Sequence, residues 1–200
     1  MGGTHNSEPE PYPALRVRAL ESLLIEKGLL SSDVVDKLVA IYENDTGPMI
    51  GARATARAWT NPEFLTLLLS DARRALKTFG LDYEVLVVVE NTPAVHNLVV
   101  CTLCSCYPWP VLGLPPNWYK MPAYRSRAVL EPRTLLREFG LELPESVEVR
   151  VWDSSAEVRY LVLPERPAGT GHLGEAELAR LVTRDAMIGV ARVTAAAPAR

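Results

Sequence analysis

Apolar positions recur at helical spacing through the first 80 residues and at strand spacing beyond them. Val17, Leu20, Leu23 and Leu24 share one helical face, with Gly28 as a stop signal. Ser31 or Ser32 caps a second predicted helix carrying Val34, Leu38, Ile41 and Tyr42. A short helix follows Gly47-Pro48 and runs through Trp59. Asn61-Pro62-Glu63 then supplies a cap, a proline at the first helical position and an acid in the first turn. Leu65, Leu68, Leu69, Ala72 and Leu76 give that helix its stripe, and Gly80 ends it. The period then changes. Val85 to Val89 is a β-branched run, Asn91-Thr92-Pro93 turns, and Leu98 to Val100 is a second short strand. Residues up to Tyr124 are proline-rich and predict an irregular wrapped segment. A helix is expected at Arg133 to Phe139. Val147 to Trp152 and Val158 to Leu163 alternate like strands paired around Ser154-Ser155. A helix at Glu175 to Val182 and a strand at Ile188 to Val193 complete the chain. The predicted class is α+β: a helical N-terminal arm, then a mixed α/β/β/α layered domain carrying a cysteine loop.

Composition narrows the function classes. The 200 residues are 48% hydrophobic and 22% charged, with a formal charge of -3, so the basic footprint of a nucleic-acid binder is missing. The longest uncharged stretch, Asn91 to Tyr119, is broken by five prolines and is no membrane span. The opening MGGTHNSEPEPYP has no apolar core, and three cysteines make a poor disulfide framework, so a cytoplasmic protein is expected.

All three cysteines lie within six residues, as Cys101-Thr102-Leu103-Cys104-Ser105-Cys106. Such clustering makes the sulfurs act together, on one soft or borderline metal. A tetrahedral zinc would need a fourth ligand, and only His96 is near; an iron–sulfur cluster also wants four ligands and wider spacing. A redox C-x-x-C belongs at a helix start, whereas prolines follow here. Three unrelated structural thiols fit the spacing poorly. The backbone offers the best fit. A metal held by the Cys104 and Cys106 sulfurs lies beside the Ser105 and Cys106 amide nitrogens; adding Cys101 makes a five-donor claw with a sixth position open, as hydration chemistry requires. His96 is read as a structural histidine. Gly169-Thr170-Gly171-His172-Leu173-Gly174 matches G-x-G-x-x-G but follows no strand directly, so it is read as a flexible loop.

The segment Val100 to Tyr107, extended through Pro108-Trp109-Pro110-Val111-Leu112-Gly113-Leu114-Pro115-Pro116, resembles the metal loop of the nitrile hydratase α subunit. Glu90 to Pro93, Trp152 to Tyr160 and Thr183 to Val190 resemble the same family. The resemblance implies a cobalt(III) or, less favoured, iron(III) ion held by the sulfurs of Cys101, Cys104 and Cys106 and by the deprotonated amides of Ser105 and Cys106. It also implies Cys104 as a sulfinate and Cys106 as a sulfenate. Thr102 and Tyr107 are similar to the cobalt type. Cys106, Ser105 and Cys104 become the catalytic set for nitrile hydration to amides. Trp109 becomes a pocket wall, and Asp153, Glu157 and Arg159 a polar bracing shell.

Further expectations follow from that resemblance. A β subunit would supply arginines against the charged claw, because Asn91 to Tyr119 contains no Lys, Arg, Asp or Glu and the first cations beyond it are Lys120, Arg125 and Arg127. A cobalt-loading activator protein and a small nitrile complete the partners. The chain would divide into a flexible arm (1–13), a helical region (14–80), the metal-binding catalytic domain (81–194) and a tail (195–200). Thiocyanate hydrolase is the nearest rival activity, with Trp109 favouring nitriles over a small anion; a zinc-stabilised non-catalytic module is the other. Many relatives carry a glutamine before the first strand where this chain has Asp82, which leaves room for an atypical substrate such as a nucleoside nitrile, or for a three-chain assembly.

Overall fold

Residues 12–40 and 48–195 are described by the computed structural model, in two compact units that divide between Ile41 and Tyr42. The expected arm up to residue 11, the end of the second predicted helix at Ile41 and Tyr42, and the tail from 196 lie outside the described residues.

The first unit holds α1 (Tyr12–Glu26) and α2 (Ser32–Ala40). Tyr12 and Pro13, expected in the arm, begin α1. Val17, Leu20 and Leu23, which share the expected helical face, are exposed.

The second unit begins with α3 (Pro48–Thr60), α4 (Pro62–Ser70) and α5 (Ala72–Lys77). The signal at Asn61 acts as expected: its side chain accepts from the Phe64 N–H at 2.9 Å. The helix expected to run on to Gly80 breaks at Asp71, whose carboxylate accepts from the Arg74 N–H and caps a new helix. Leu68, Leu76, Leu98, Leu161 and Val100 bury fully in one core. Burying each such side chain contributes about 1.5–3 kcal/mol.

The strands are β1 (Leu86–Glu90), β2 (Val95–Val100), β3 (Glu148–Asp153) and β4 (Arg159–Leu163). All four were expected near these positions, but the expected β3–β4 pairing does not form. β1 pairs with β4 and β2 with β3, both in parallel, with Leu86 opposite Arg159 and Val100 opposite Asp153. The short 154–158 connection carries the chain from one two-stranded sheet to the other instead of folding a hairpin.

The proline-rich wrap is more regular than expected. It holds α6 (Trp109–Leu112), a 3-10 turn (Asn117–Lys120) and the start of α7 (Pro122–Leu130). Each begins at or beside a proline, which suits a first helical position. The chain continues through α8 (Pro132–Glu138) and ends in α9 (Glu175–Leu181) and α10 (Arg184–Ile188). The expected last strand at Ile188 to Val193 is absent. Thr183 caps α10 by accepting from the Ala186 N–H, Gly189 closes it with φ 97°, and the apolar residues beyond bury as irregular chain. The Gly169–Gly174 loop is held by Arg166, whose guanidinium donates to the Thr170 carbonyl and hydroxyl oxygens. Among the described residues no helix is long and apolar enough to cross a membrane.

Candidate metal centre

β2 delivers its last residue, Val100, straight into the cysteine segment. Cys101 is fully buried, Cys106 half-buried and Cys104 exposed. The Cys101 and Cys104 sulfurs lie 3.4 Å apart and those of Cys104 and Cys106 2.9 Å apart. The three ligand atoms fall within 4.8 Å of one another. The backbone folds inward with them: the Cys104 and Ser105 N–H groups donate to the Cys101 sulfur at 3.3 and 3.1 Å. Ser105 has φ 128°, the only positive φ outside glycine among the described residues. A conformation of that kind costs about 1–3 kcal/mol and persists only where its surroundings impose it.

Those surroundings are identifiable. Asp153, at the end of β3 beside Val100, accepts from the Thr102 N–H at 2.9 Å and from its hydroxyl at 2.5 Å. The Ser154 N–H donates to the Val100 carbonyl at 2.7 Å. Tyr119 donates its hydroxyl to the Cys106 carbonyl at 3.0 Å, and Tyr124 donates to the Val99 carbonyl at 2.7 Å. Burial pushes both phenols well above their ordinary pKa, so both remain un-ionised donors. These tyrosines were not singled out from sequence. The available signal was a pair of aromatics with polar tips inside a proline-rich wrap, which needs partners for its backbone.

Electrostatics separate the sulfurs. Burial works to raise the Cys101 thiol, but the backbone N–H groups of Cys104, Ser105 and Cys106 outweigh it and bring it down to about 7. Cys106 is pushed up to about 12, by burial first and then by the neighbouring Cys104 and Cys101 sulfurs; Arg159 opposes the rise. A second cation also reaches the loop, since Arg125 donates to the Thr102 carbonyl at 3.5 Å. The Nε atoms of Arg125 and Arg159 are buried without a hydrogen-bond partner.

The other expected site residues are placed less uniformly. Trp109, at the start of α6, is 41% exposed and lies under the Lys120 ammonium, 5.7 Å from the ring centroid. Glu157 is exposed, and its carboxylate accepts from the Ser155 hydroxyl within the 154–158 connection. Asp82 is taken by Arg73 at 2.5 Å and Lys77 at 3.3 Å. His96 is buried in a closed network and is no ligand.

The donor set itself tests what could bind. Three convergent sulfurs and inward-turned amides make a soft, strongly donating pocket without the fourth side chain that a tetrahedral zinc requires. Among the described residues this is the one cluster of its kind. The residues present fit a metal ion held partly by backbone.

A layered α+β unit with a cysteine claw at a strand end defines a metalloprotein of the nitrile hydratase class. The family model described as "Nitrile hydratase, alpha chain" matches residues 11–191, and this chain belongs to that family. It is 59% identical to the low-molecular weight cobalt-containing nitrile hydratase subunit alpha of Rhodococcus rhodochrous, over 88% of this chain and 87% of that one. It is 44% identical to the thiocyanate hydrolase subunit gamma of Thiobacillus thioparus, over 86% of this chain and 76% of the relative. The solved structure of a double mutant of Fe-type nitrile hydratase from Comamonas testosteroni Ni1 superposes with a TM-score of 0.82 at 42% identity, covering 96% and 97% of the two chains.

Proposed function

We propose that this chain is the metal-bearing α subunit of a cobalt nitrile hydratase and carries the hydration of nitriles to primary amides. The observation that supports it most is the inward turn of the backbone at Ser105, which sets the Cys104 and Ser105 amide nitrogens against the Cys101 sulfur while the three sulfurs lie within 4.8 Å of one another. On this reading the sulfurs of Cys101, Cys104 and Cys106 and the amides of Ser105 and Cys106 hold one cobalt(III) ion. When bound, the ion supplies Lewis acidity at an open position for a small C≡N group.

The protein's own groups do the rest. Cys106, as a sulfenate, presents a nucleophilic or basic oxygen, and the Ser105 hydroxyl orients it. Cys104, as a sulfinate, fixes the charge and shape of the claw. Asp153 holds Thr102 and with it the first turn of the loop, Arg159 places positive charge near Cys106, and Trp109 walls the pocket. Glu157 stiffens the 154–158 connection. A β subunit supplies further cations and closes the site, and an activator protein loads the metal. Unpaired thiols suit the cytoplasm. Residues 81–194 carry the chemistry.

The likeness to a thiocyanate hydrolase subunit makes that activity the second reading. Trp109 weighs against it, since an apolar wall suits a neutral nitrile better than a small anion. Co-expression with a β subunit, an activator and cobalt tests the proposal. Amide formation, together with three added oxygen atoms on the Cys101–Cys106 peptide, is the expected result. Carbonyl sulfide from thiocyanate without nitrile hydration, or zinc on unmodified thiols, would overturn it.

A further inference from the structure

The cysteine claw is held differently at its two ends. Its entrance continues β2, where Val100 stands opposite Asp153 in the parallel ladder. There the Ser154 N–H donates to the Val100 carbonyl at 2.7 Å, and the Asp153 carboxylate grips Thr102. Its exit belongs to no strand or helix. Cys106 runs into Tyr107-Pro108, a proline has no N–H to offer, and regular structure resumes only at Trp109. Between the two ends sits Ser105, with φ 128°. A backbone in that region relaxes unless both flanks are fixed.

What fixes the exit is the Tyr119 hydroxyl, which donates to the Cys106 carbonyl at 3.0 Å. Tyr119 is itself tightly placed. It is fully buried, and it sits in the 3-10 turn where its N–H donates to the Pro116 carbonyl at 3.1 Å. Its ring stands edge-on to that of Tyr107, with 5.1 Å between centroids, and 5.7 Å from that of Tyr124. A packed tyrosine ring carries its hydroxyl to one point, because only two side-chain torsions separate it from the backbone. The hydrogen bond and the ring contact therefore act on consecutive residues, Cys106 and Tyr107. Tyr124 differs. It donates to the Val99 carbonyl within β2, where the ladder to β3 already sets the backbone.

We infer that Tyr119 is a positioning residue of the metal centre: by holding the Cys106 carbonyl, its hydroxyl preserves the positive φ of Ser105 and the placing of the Cys106 sulfur. The inference rests on the proposed cobalt claw and assigns the group that closes it at its exit. The action runs through the backbone. Removing the hydroxyl alone leaves the ring in its slot but frees the exit. Ser105 is then able to relax, and its N–H, now 3.1 Å from the Cys101 sulfur, turns away. Partners of this kind, one step removed from the ligands, set how firmly a metal is kept.

The test compares the matured, cobalt-loaded αβ enzyme with its Tyr119→Phe and Tyr124→Phe variants. Each variant keeps its ring and loses one buried hydrogen bond to a backbone carbonyl, so the melting temperatures should fall by similar amounts. Cobalt release to excess EDTA under a mild reductant should be about tenfold faster in Tyr119→Phe and less than about threefold faster in Tyr124→Phe. The sulfur-to-cobalt absorption should shift in Tyr119→Phe and stay in place in Tyr124→Phe. Equal release rates in the two variants, or an unshifted absorption in Tyr119→Phe, overturn the assignment. So does a Tyr119→Phe chain that fails to fold, since the hydroxyl would then serve the domain and not the claw. A parent enzyme that takes up no cobalt refutes the underlying metal centre instead, and is told apart because it fails before either variant is made.

Discussion

β2 carries a polar cluster at each end, and the two are built in opposite ways. Near its start, Asn91, His96 and Asn97 form a closed seam. The Gly189 carbonyl can only accept, so His96 Nε2 donates to it at 2.7 Å, and His96 Nδ1 accepts from the Asn91 amide at 3.3 Å. Asn97 donates to the Glu90 carbonyl at 2.8 Å and accepts from the Trp152 indole at 2.8 Å. At the other end, three sulfurs lie within 4.8 Å of one another and the Cys104 and Ser105 N–H groups turn onto the Cys101 sulfur. A buried polar group with its full set of partners is architecture, whereas donors converging on a shared point are a site. The histidine nearest the cysteines therefore belongs to the fold and not to the metal.

Substitutions at the two ends should separate accordingly. Cys106→Ala should remove hydration activity by about a thousandfold or more, with the folded domain retained, as turnover and circular dichroism would show. Asp153→Ala frees the first turn of the claw and should weaken metal retention about 10- to 100-fold, read by competition with a chelator, while leaving the melting temperature nearly unmoved. Gly189→Ala acts on the seam. Its new Cβ would run into the Asn97 carbonyl at φ 97°, so about 2 kcal/mol or more of stability should vanish in a denaturant titration.

The gentlest probe is pH. Burial holds His96 below its ordinary 6.5, the Gly189 carbonyl and Glu165 oppose that, and Arg192 adds to it. The unfolded chain then takes up the proton first. The contribution of the seam is full above about 6.5 and fades as the pH falls below it. Chemical denaturation of the apo chain should show this acid-side loss, and His96→Gln should flatten it. A mutation of the seam that stripped the metal while sparing stability would break the contrast.

What could be read from sequence follows from range. The cysteine motif spans six residues and its chelating logic is local, so the convergence of the three sulfurs was legible. Caps such as Asn61 and Thr183 act over three residues, and Asn61 correctly placed the start of α4. Ile188, Val190 and Val193 suggest a strand, but the Thr183 cap and the left-handed Gly189 set a short helix and its end there instead. Strand partners are non-local. A short link between two alternating runs suggests a hairpin, and nothing within 154–158 reveals that β3 and β4 pair instead with β2 and β1. For that reason the clamp of Asp153 on Thr102 could be expected only in outline.

X-ray absorption at the metal edge of the matured αβ enzyme tests the central claim most directly. A cobalt shell of mixed sulfur and amide-nitrogen donors is the predicted result. A four-coordinate shell without backbone nitrogen would contradict it.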